Sequence, residues 1–286
     1  MKILCTFPGK YGDLLWALPA IRALSRRVGA RVDLQIAGAF GSIADLLQVQ
    51  PYIGVILVDT GWAVQETAPM TPRIPPGPDA LRGYDHVFHL GHRAWPQRPL
   101  PFETLDCLSD QWGWNGLDGD PPADADLHLE EPWITVEERH AGFYWPWNYG
   151  FTDEHFELKY GLVSLLSRES RRAQRTHLPP CGIGMSARWQ AEAGIVSCTW
   201  NESAALLQHT GVLLACNSAL HVLAVAVGVP VVLMEPNPHR HHEIFYPLGD
   251  IGPQVTLVRG NDGRPTFDAR HVYTVLQNVL TQTHTR

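Results

Sequence analysis

The sequence contains few cysteines, and none of them forms a CxxC pair. The 286 residues include five cysteines at scattered positions: Cys5, Cys107, Cys181, Cys198 and Cys216. An odd number without short spacing argues against a disulfide framework and against a zinc ribbon. We therefore predict reduced cysteines that pack in the protein core.

Long apolar runs and a surplus of positive charge are also missing. No stretch approaches the roughly 18 apolar residues of a membrane span, and the N-terminus does not have the pattern of a secretory signal. We therefore expect a cytoplasmic protein. The net charge is −7, and lysine occurs only as Lys2, Lys10 and Lys159. This balance gives no global reason to expect binding to a polyanion and leaves room only for a local basic cleft.

Strand-like and helix-like segments do alternate along the chain. The run KILCTF has the length of a strand, and residues 13–28 carry apolar side chains at helical spacing. Pro19 should kink that helix or mark its true start. The alternation returns after residue 181. We predict an α/β protein of two modest domains with mostly parallel sheets and helices on both faces.

The middle of the chain departs from this rhythm. Residues 61–79 are rich in Pro and Gly, residues 93–101 are rich in Pro, and residues 109–126 combine Trp, Gly, Asp and Pro. These compositions are typical of irregular loops. The run LHLEEPWITV predicts one more strand. The aromatic segment GFYWPWNYGF is interpreted as the crossing between halves, and its rings either pack at a hinge or stack on a sugar or base. We divide the chain into residues 1–145 and 146–286.

The loop PGKYGD after the first strand ends in an acid at the mouth of an apolar helix. In open α/β sheets, ligands bind beyond the carboxyl ends of the strands, and Gly9 and Gly12 let the backbone come close to a ligand. The loop matches neither a Walker A motif nor the GxGxxG fingerprint. Asp13 is therefore either a helix cap, a position that favours Asp, or a functional carboxylate.

A second polar turn lies in GVLLACNSALHVLAVAVGVPVVLMEPNP. Asn217 and Ser218 fall where a strand ends and a helix begins. The backbone N–H groups of Ser218, Ala219 and Leu220 are then available to an anion, and a diphosphate fits that geometry. The alternative is an Asn or Ser helix cap with nothing bound.

Together these two segments resemble glycosyltransferase family 9, the heptosyltransferase-like enzymes. PGKYGDLLWALPAIRAL is similar to the opening of that family, where Gly-Asp after the first strand precedes L-x-x-x-P-A-x-x-x-L. NSALHVLAVAVGVPVVLMEPN is similar to its second signature, an Asp-Ser/Thr-Gly turn followed by x-x-H-x-x-A-A-x-G-x-P and a strand. Residues 93–180 have no match.

The resemblance implies a GT-B fold, in which two Rossmann-like domains face each other across a cleft. It implies inverting, metal-independent transfer of a sugar from a nucleotide sugar, held by residues 146–286, to an acceptor held by residues 1–145. Such transfer needs a base for the acceptor hydroxyl, and N–H or cationic groups for the leaving diphosphate. Asp13 matches the proposed base. The implied donor contacts are Gly12, Asn217, Ser218, Ala219, Leu220, His221 and Glu235.

The sequence also departs from the family pattern. Asn217 replaces the usual Asp, and Ala219 replaces a common Gly. The family's lysine-bearing phosphate loop has no clear counterpart, and MSARWQAE, with Ser186 and Arg188 as donors, is the nearest segment. We therefore expect a reduced C-terminal domain.

Histidines are clustered in two segments of the sequence. NPHRHHE gathers His239, His241, His242 and Glu243, but at no recognised metal spacing, so we predict neither a metal nor a cofactor. Arg240 is expected to face the diphosphate. In DHVFHLGHR, strand alternation sends His86 and His89 to opposite faces. His92 and Arg93, beyond the strand, are expected to contact the acceptor together with Lys10 and Tyr11.

Two other functions remain open. A viral-type glycosyltransferase that modifies hydroxymethylated bases in DNA is favoured by the Arg-rich run 168–175 and disfavoured by the acidic charge. A non-catalytic nucleotide- or sugar-binding module on the same scaffold is favoured by Asn217 and the reduced C-terminal half. The acceptor is accordingly a glycan, a lipid-linked sugar or modified DNA.

Overall fold

The computed structural model divides the chain into two compact units, Met1–Thr135 with Glu243–Pro247, and Val136–His242 with Leu248–Arg286. The structure describes residues 1–62, 82–91, 100–109, 114, 117–136, 146–148, 181–183, 195–196, 199–208, 212–216, 219–235, 255–259 and 268–283. No helix in these ranges combines the length and the apolar character that crossing a membrane requires.

The first unit is built on a parallel sheet. Its described strands are Ile3–Phe7 (β1), Val32–Ala37 (β2), Ile53–Asp59 (β3) and His86–His89 (β4), in the spatial order β3-β2-β1-β4. Every residue of β1 and β2 is buried, as expected for parallel strands covered on both faces. The chain moves outward from β1 to β3 and then returns to the far side of β1. The direction of connection therefore reverses between β1 and β4.

Helices pack against this sheet. The described helices are Tyr11–Val28 (α1), Ala44–Gln48 (α2) and Leu100–Ser109 (α3), with 3-10 turns at Gly38–Ile43 and Asp124–Leu127. α1 begins two residues before the predicted start. It ends at Gly29, whose φ of +64° is the left-handed conformation that glycine adopts without strain.

Pro19 lies inside α1, so the alternative that it marks the start of the helix is wrong. Because proline has no N–H, the carbonyl of Leu15 loses its normal helical donor. The indole N–H of Trp133 donates to Leu15 O instead, at 3.1 Å. The Trp133 ring also packs on Trp16, with ring centroids 5.5 Å apart. A residue far along the chain therefore satisfies the carbonyl that Pro19 exposes.

Residues 117–136, here called the strap, contain no strand, so the strand predicted at residues 127–136 is wrong. The buried guanidinium of Arg22 on α1 binds this irregular backbone. It donates to the carbonyl oxygens of Leu127, His128 and Pro132 at 2.7, 2.9 and 3.0 Å. Burial lowers the pKa of Arg22. These carbonyls need no neighbouring strand, because a side chain satisfies them.

The end of the strap is fixed in the same way. The buried Gln50 side chain accepts from Thr135 N–H at 2.8 Å and donates to Thr135 O at 3.0 Å, which mimics a pair of strand hydrogen bonds. The Tyr52 hydroxyl donates to Trp133 O at 2.8 Å. Polar side chains of the first unit thus hold the strap as far as Thr135.

A longer parallel sheet forms the second unit. Its described strands are Pro146–Asn148 (β5), Cys181–Ile183 (β6), Ile195–Val196 (β7), Leu213–Cys216 (β8), Val231–Glu235 (β9) and Val255–Arg259 (β10). Their order is β10-β9-β8-β5-β6-β7. The chain goes from β5 out to β7 and then returns to β8 on the other side of β5. This is the strand order of dinucleotide-binding α/β sheets.

The described helices of this unit are Trp200–Gln208 (α4), Ala219–Ala226 (α5) and Ala269–Thr283 (α6). α5 follows β8 and is terminated by Gly228, two residues beyond its end, whose φ is +84°. Gly228 N–H donates to Val225 O at 3.0 Å and Val229 N–H to Ala224 O at 2.8 Å, the two hydrogen bonds of a Schellman motif. The Gly-x-Pro of the sequence signature is therefore the helix stop that leads the chain into β9.

The prediction of an α/β protein with parallel sheets is confirmed. Cys5 and Cys107 are buried free thiols, as predicted, and burial raises the pKa of Cys5. Cys198 lies outside the described residues.

Candidate functional site

The loop that joins β1 to α1 is folded tightly. A Cβ atom on Gly9 would overlap the ring of Phe7 and would lie 3.0 Å from Cβ of Asp13. Only glycine therefore fits between the end of the strand and the first turn of the helix. This close approach fixes Asp13 relative to the carboxyl end of β1.

Asp13 is the third residue of α1, so it contributes to the helix cap from within the first turn and not as the N-cap residue itself. Lys10 occupies the cap position, and its backbone N–H donates to Asp13 Oδ2 at 3.4 Å. A carboxylate in the first turn is favoured by the positive end of the helix dipole. Asp13 is partly exposed, as is Gly12 beside it. The position therefore suits a carboxylate that is both held in place and accessible.

Tyr11 connects α1 to the segment after β2. Its ring packs edge to face with Phe40, at a centroid distance of 4.8 Å, and its hydroxyl lies 2.7 Å from Ser42 Oγ. Lys10 is exposed next to it. The structure thus gathers Lys10, Tyr11 and Asp13, all singled out from the sequence, at one edge of the sheet. Phe40 and Ser42 were missed, although the rule that loops after parallel strands share an edge would have found their segment.

A polar pair marks the reversal between β1 and β4. Thr6 Oγ1 lies 2.8 Å from Nδ1 of His89, the last residue of β4. Thr6 is buried and His89 is half-buried. Burial lowers the pKa of His89 below its ordinary value, which keeps the imidazole neutral at neutral pH. Of the other acceptor candidates, His92 and Arg93 lie outside the described residues.

The corresponding reversal in the second unit lies between β5 and β8. α5 begins at Ala219, close after the end of β8 at Cys216. The first N–H groups of a helix have no helical acceptor and favour an anion. Ala219 is partly exposed, whereas the side chains of Leu220 and His221 are buried. Any contact from Leu220 to a ligand would therefore be through its backbone.

The remaining donor candidates are only partly described. Glu235 is the last residue of β9, the strand beside β8. Ser186, Arg188, Asn217, Ser218 and Arg240 lie outside the described residues, and so does the cluster His239 to Glu243.

Within the described ranges, His128, Glu130 and Glu131 on the strap are close enough to share a cation, with ligand atoms within 4.8 Å of one another. Both glutamates are exposed. The carbonyl of His128 is one of those that Arg22 binds. The hydrogen bonds of the strap therefore account for the position of this cluster, and exposed acids of this kind are common without an ion.

The fold and these positions are those of an open α/β protein with one candidate ligand site in each unit. Each unit is a parallel α/β sheet in which the connections reverse beside the first strand of the unit, and each reversal is flanked by polar or helix-start groups. Reversals of this kind are where open α/β sheets bind ligands.

Comparison with known proteins narrows the class. No protein-family model matches the chain, and no curated protein matches its sequence. Solved structures do resemble it. A glycosyl transferase of family 9 from Veillonella parvula aligns with a TM-score of 0.59 at 11% identity, covering 98% of this chain and 97% of that one.

Two proteins from E. coli show the same likeness. Heptosyltransferase WaaC with ADP-2-deoxy-2-fluoro heptose aligns with a TM-score of 0.59 at 14% identity, over 97% of this chain and 99% of that one. ADP-heptose lps heptosyltransferase II aligns with a TM-score of 0.56 at 14% identity, over 99% and 100%. The chain is therefore similar in fold to family 9 glycosyltransferases, which confirms the resemblance seen in the two sequence segments.

Proposed function

We propose that the chain is an inverting, metal-independent glycosyltransferase that moves a sugar from a nucleotide sugar to an acceptor hydroxyl. One observation carries the proposal: Asp13 lies partly exposed in the first turn of α1, directly beyond the central strand β1. This is where an open sheet binds its ligand. The likeness in fold to family 9 glycosyltransferases supports the proposal.

In the proposed reaction, Asp13 acts as general base. Its carboxylate accepts the proton of the acceptor hydroxyl as that oxygen attacks the anomeric carbon, and the bond from that carbon to the nucleoside diphosphate breaks on the opposite face. The hydrogen bond from Lys10 N–H would orient the carboxylate toward the acceptor hydroxyl. Lys10 and Tyr11 would contact the acceptor beside it.

The leaving diphosphate requires stabilisation of its charge. The start of α5 would provide it through the backbone N–H groups near Ala219 and Leu220, with Asn217, Ser218 and an arginine such as Arg240 or Arg188 completing the set. Such donors make a metal unnecessary. Glu235 at the end of β9 would lie near the nucleoside.

This chemistry requires the two sites to meet, so we propose that the units face each other in a GT-B arrangement. The first unit would hold a glycan or lipid-linked acceptor and the second the nucleotide sugar. The heptosyltransferase likeness suggests an ADP-linked heptose as the first donor to test.

The experiment is a thermal-shift panel of ADP-, GDP-, UDP- and dTDP-sugars, followed by measurement of nucleoside diphosphate release. Mass action stabilises the folded chain by an amount that grows with the ratio of ligand to Kd. We expect one nucleotide class to raise Tm and to be turned over with a glycan acceptor. A rise in Tm without release in any acceptor mixture would identify a binding module. Release that requires hydroxymethylated DNA would identify the viral-type enzyme, and no shift with any nucleotide sugar would refute the proposal.

A further inference from the structure

The segment after β2 presents an aromatic and hydroxyl surface at the start of α1. Phe40 and Tyr11 pack edge to face at 4.8 Å, both rings are partly exposed, and the Tyr11 hydroxyl lies 2.7 Å from Oγ of the exposed Ser42. Tyr11 is the first residue of α1, and Asp13 belongs to the same turn. We call Tyr11, Phe40 and Ser42 the aromatic platform.

The backbone that carries the platform has little freedom. A Cβ on Gly38 would lie 2.7 Å from Cα of Thr60, and a Cβ on Gly41 would lie 2.8 Å from Cγ1 of Val58. Both glycines therefore let the segment rest directly on the end of β3. A surface fixed in this way loses little entropy when a ligand binds, which is the property of a preorganised binding site.

The chemistry of the platform matches a pyranose ring. A sugar presents C–H groups on one face and hydroxyl groups around its rim. Aromatic rings pack well against the first, and paired hydroxyl groups exchange hydrogen bonds with the second. A purely structural pair would gain most from full burial, whereas these rings remain partly exposed at the edge of the sheet where ligands bind.

We infer that the aromatic platform binds the pyranose ring of the acceptor and sets which of its hydroxyl groups reaches Asp13. This inference rests on the proposed function, because it assigns the sugar to the acceptor side of that reaction. It adds Phe40 and Ser42 to the residues that determine acceptor specificity.

The test uses the full chain and two defined probes, methyl α-mannopyranoside and methyl α-glucopyranoside, observed by saturation-transfer NMR. We expect saturation to reach the ring C–H protons of at least one probe. Phe40→Ala should weaken its binding by on the order of fivefold, as expected for loss of one aromatic contact. Phe40→Trp should retain binding, and Ser42→Ala should weaken it by less than Phe40→Ala.

The matched control is Val55→Ala, which removes another exposed apolar side chain, 55% exposed, from β3 in the same unit. It should bind the probes as the wild type does. Equal binding by the wild type and folded Phe40→Ala, or no saturation of either probe by the wild type, would overturn the inference.

The nucleotide-sugar shift is recorded on the same variants and is expected to be unchanged in Phe40→Ala. Loss of the pyranoside signal with an intact nucleotide-sugar shift supports the platform. Absence of any nucleotide-sugar shift in the wild type refutes the proposed function, and the saturation of the probes is judged independently of it.

Discussion

Asp13 and Asp126 hold the same local geometry in the first unit. Each is the third residue of its helical segment, and each accepts the backbone N–H three residues earlier, from Lys10 at 3.4 Å and from Ala123 at 2.7 Å. They therefore separate a structural role from a chemical one. Asp13→Asn should keep the fold and nucleotide-sugar binding, because the amide oxygen can still accept that hydrogen bond, while transfer falls by on the order of 10² or more.

Asp126→Asn is the control and should leave turnover at the wild-type level. Both variants are compared in initial rates of nucleoside diphosphate release at saturating donor. Wild-type turnover in Asp13→Asn would return this residue to a purely structural role.

His89 gives the first unit a sensitivity to acid. Burial lowers its pKa in the folded state, so the unfolded chain takes up this proton at a higher pH than the folded one. The stability that neutral His89 contributes is present above about pH 6.5 and is lost as the pH falls through the folded-state pKa. Urea unfolding at pH 8 and pH 5 should show a larger loss for the wild type than for His89→Gln.

His271→Gln serves as the control for this comparison, since His271 is exposed on α6. It should lose as much stability between the two pH values as the wild type. A His89→Gln variant that also behaves like the wild type would contradict the prediction.

Which site residues the sequence revealed depended on their chemistry. Lys10, Tyr11 and Asp13 lie between the end of β1 and the first turn of α1, so the rule for parallel sheets located them together. Phe40 and Ser42 carry no catalytic signature, and only the fold shows them touching Tyr11. The assignment of acceptor and donor roles remains a prediction, because Asn217, Ser218 and the arginines lie outside the described residues.

At the scale of the element, α1 depends on Trp133 to tolerate Pro19. Trp133→Phe removes the N–H that satisfies Leu15 O and should cost about 1 to 3 kcal/mol of unfolding free energy. In the Pro19→Ala background, the new backbone N–H can bind the same carbonyl, so the cost of Trp133→Phe should fall by about 1 kcal/mol. Urea unfolding of the four proteins measures this coupling, and additive effects would show that the indole hydrogen bond contributes nothing.

Gly228 and Gly29 end helices in the two units, both at positive φ. Replacing either by alanine forces a Cβ into the left-handed region and should cost about 1 kcal/mol. Because Gly228 lies between α5 and β9, Gly228→Ala should also weaken nucleotide-sugar binding, whereas Gly29→Ala should not. Unfolding curves and the thermal-shift assay on both variants check this prediction. Equal nucleotide-sugar binding by the two variants would show that the end of α5 does not contribute to the donor site.

Periodicity predicted β1, α1 and the alternation of strands with helices, because parallel strands are short apolar runs separated by amphipathic helices. It failed for residues 127–136, where the apolar side chains Leu127, Trp133 and Ile134 are buried as in a strand. Their backbone is satisfied by Arg22, Gln50 and Tyr52 instead of a neighbouring strand. Hydrogen bonds from distant side chains leave no period in the sequence.

At the scale of the whole molecule, the proposed reaction places N–H groups and arginines on the diphosphate where other enzymes use a divalent cation. Activity should therefore survive EDTA with at most a minor change in rate. Diphosphate release is measured after treatment with EDTA and again after adding Mg²⁺ or Mn²⁺. Loss of activity that either ion restores would contradict metal independence and direct attention to His239, His241, His242 and Glu243.

Trp133 and Leu15 are 118 residues apart in sequence, so the hydrogen bond between them can form only after the ribosome has made both. At roughly 5 to 20 residues per second, a ribosome adds Trp133 on the order of ten seconds after Leu15. During that interval the segment that becomes α1 has neither the indole donor for Leu15 O nor the strap that covers its apolar face. A fragment that stops short of residue 133 should therefore be a better substrate for chaperones than one that reaches it.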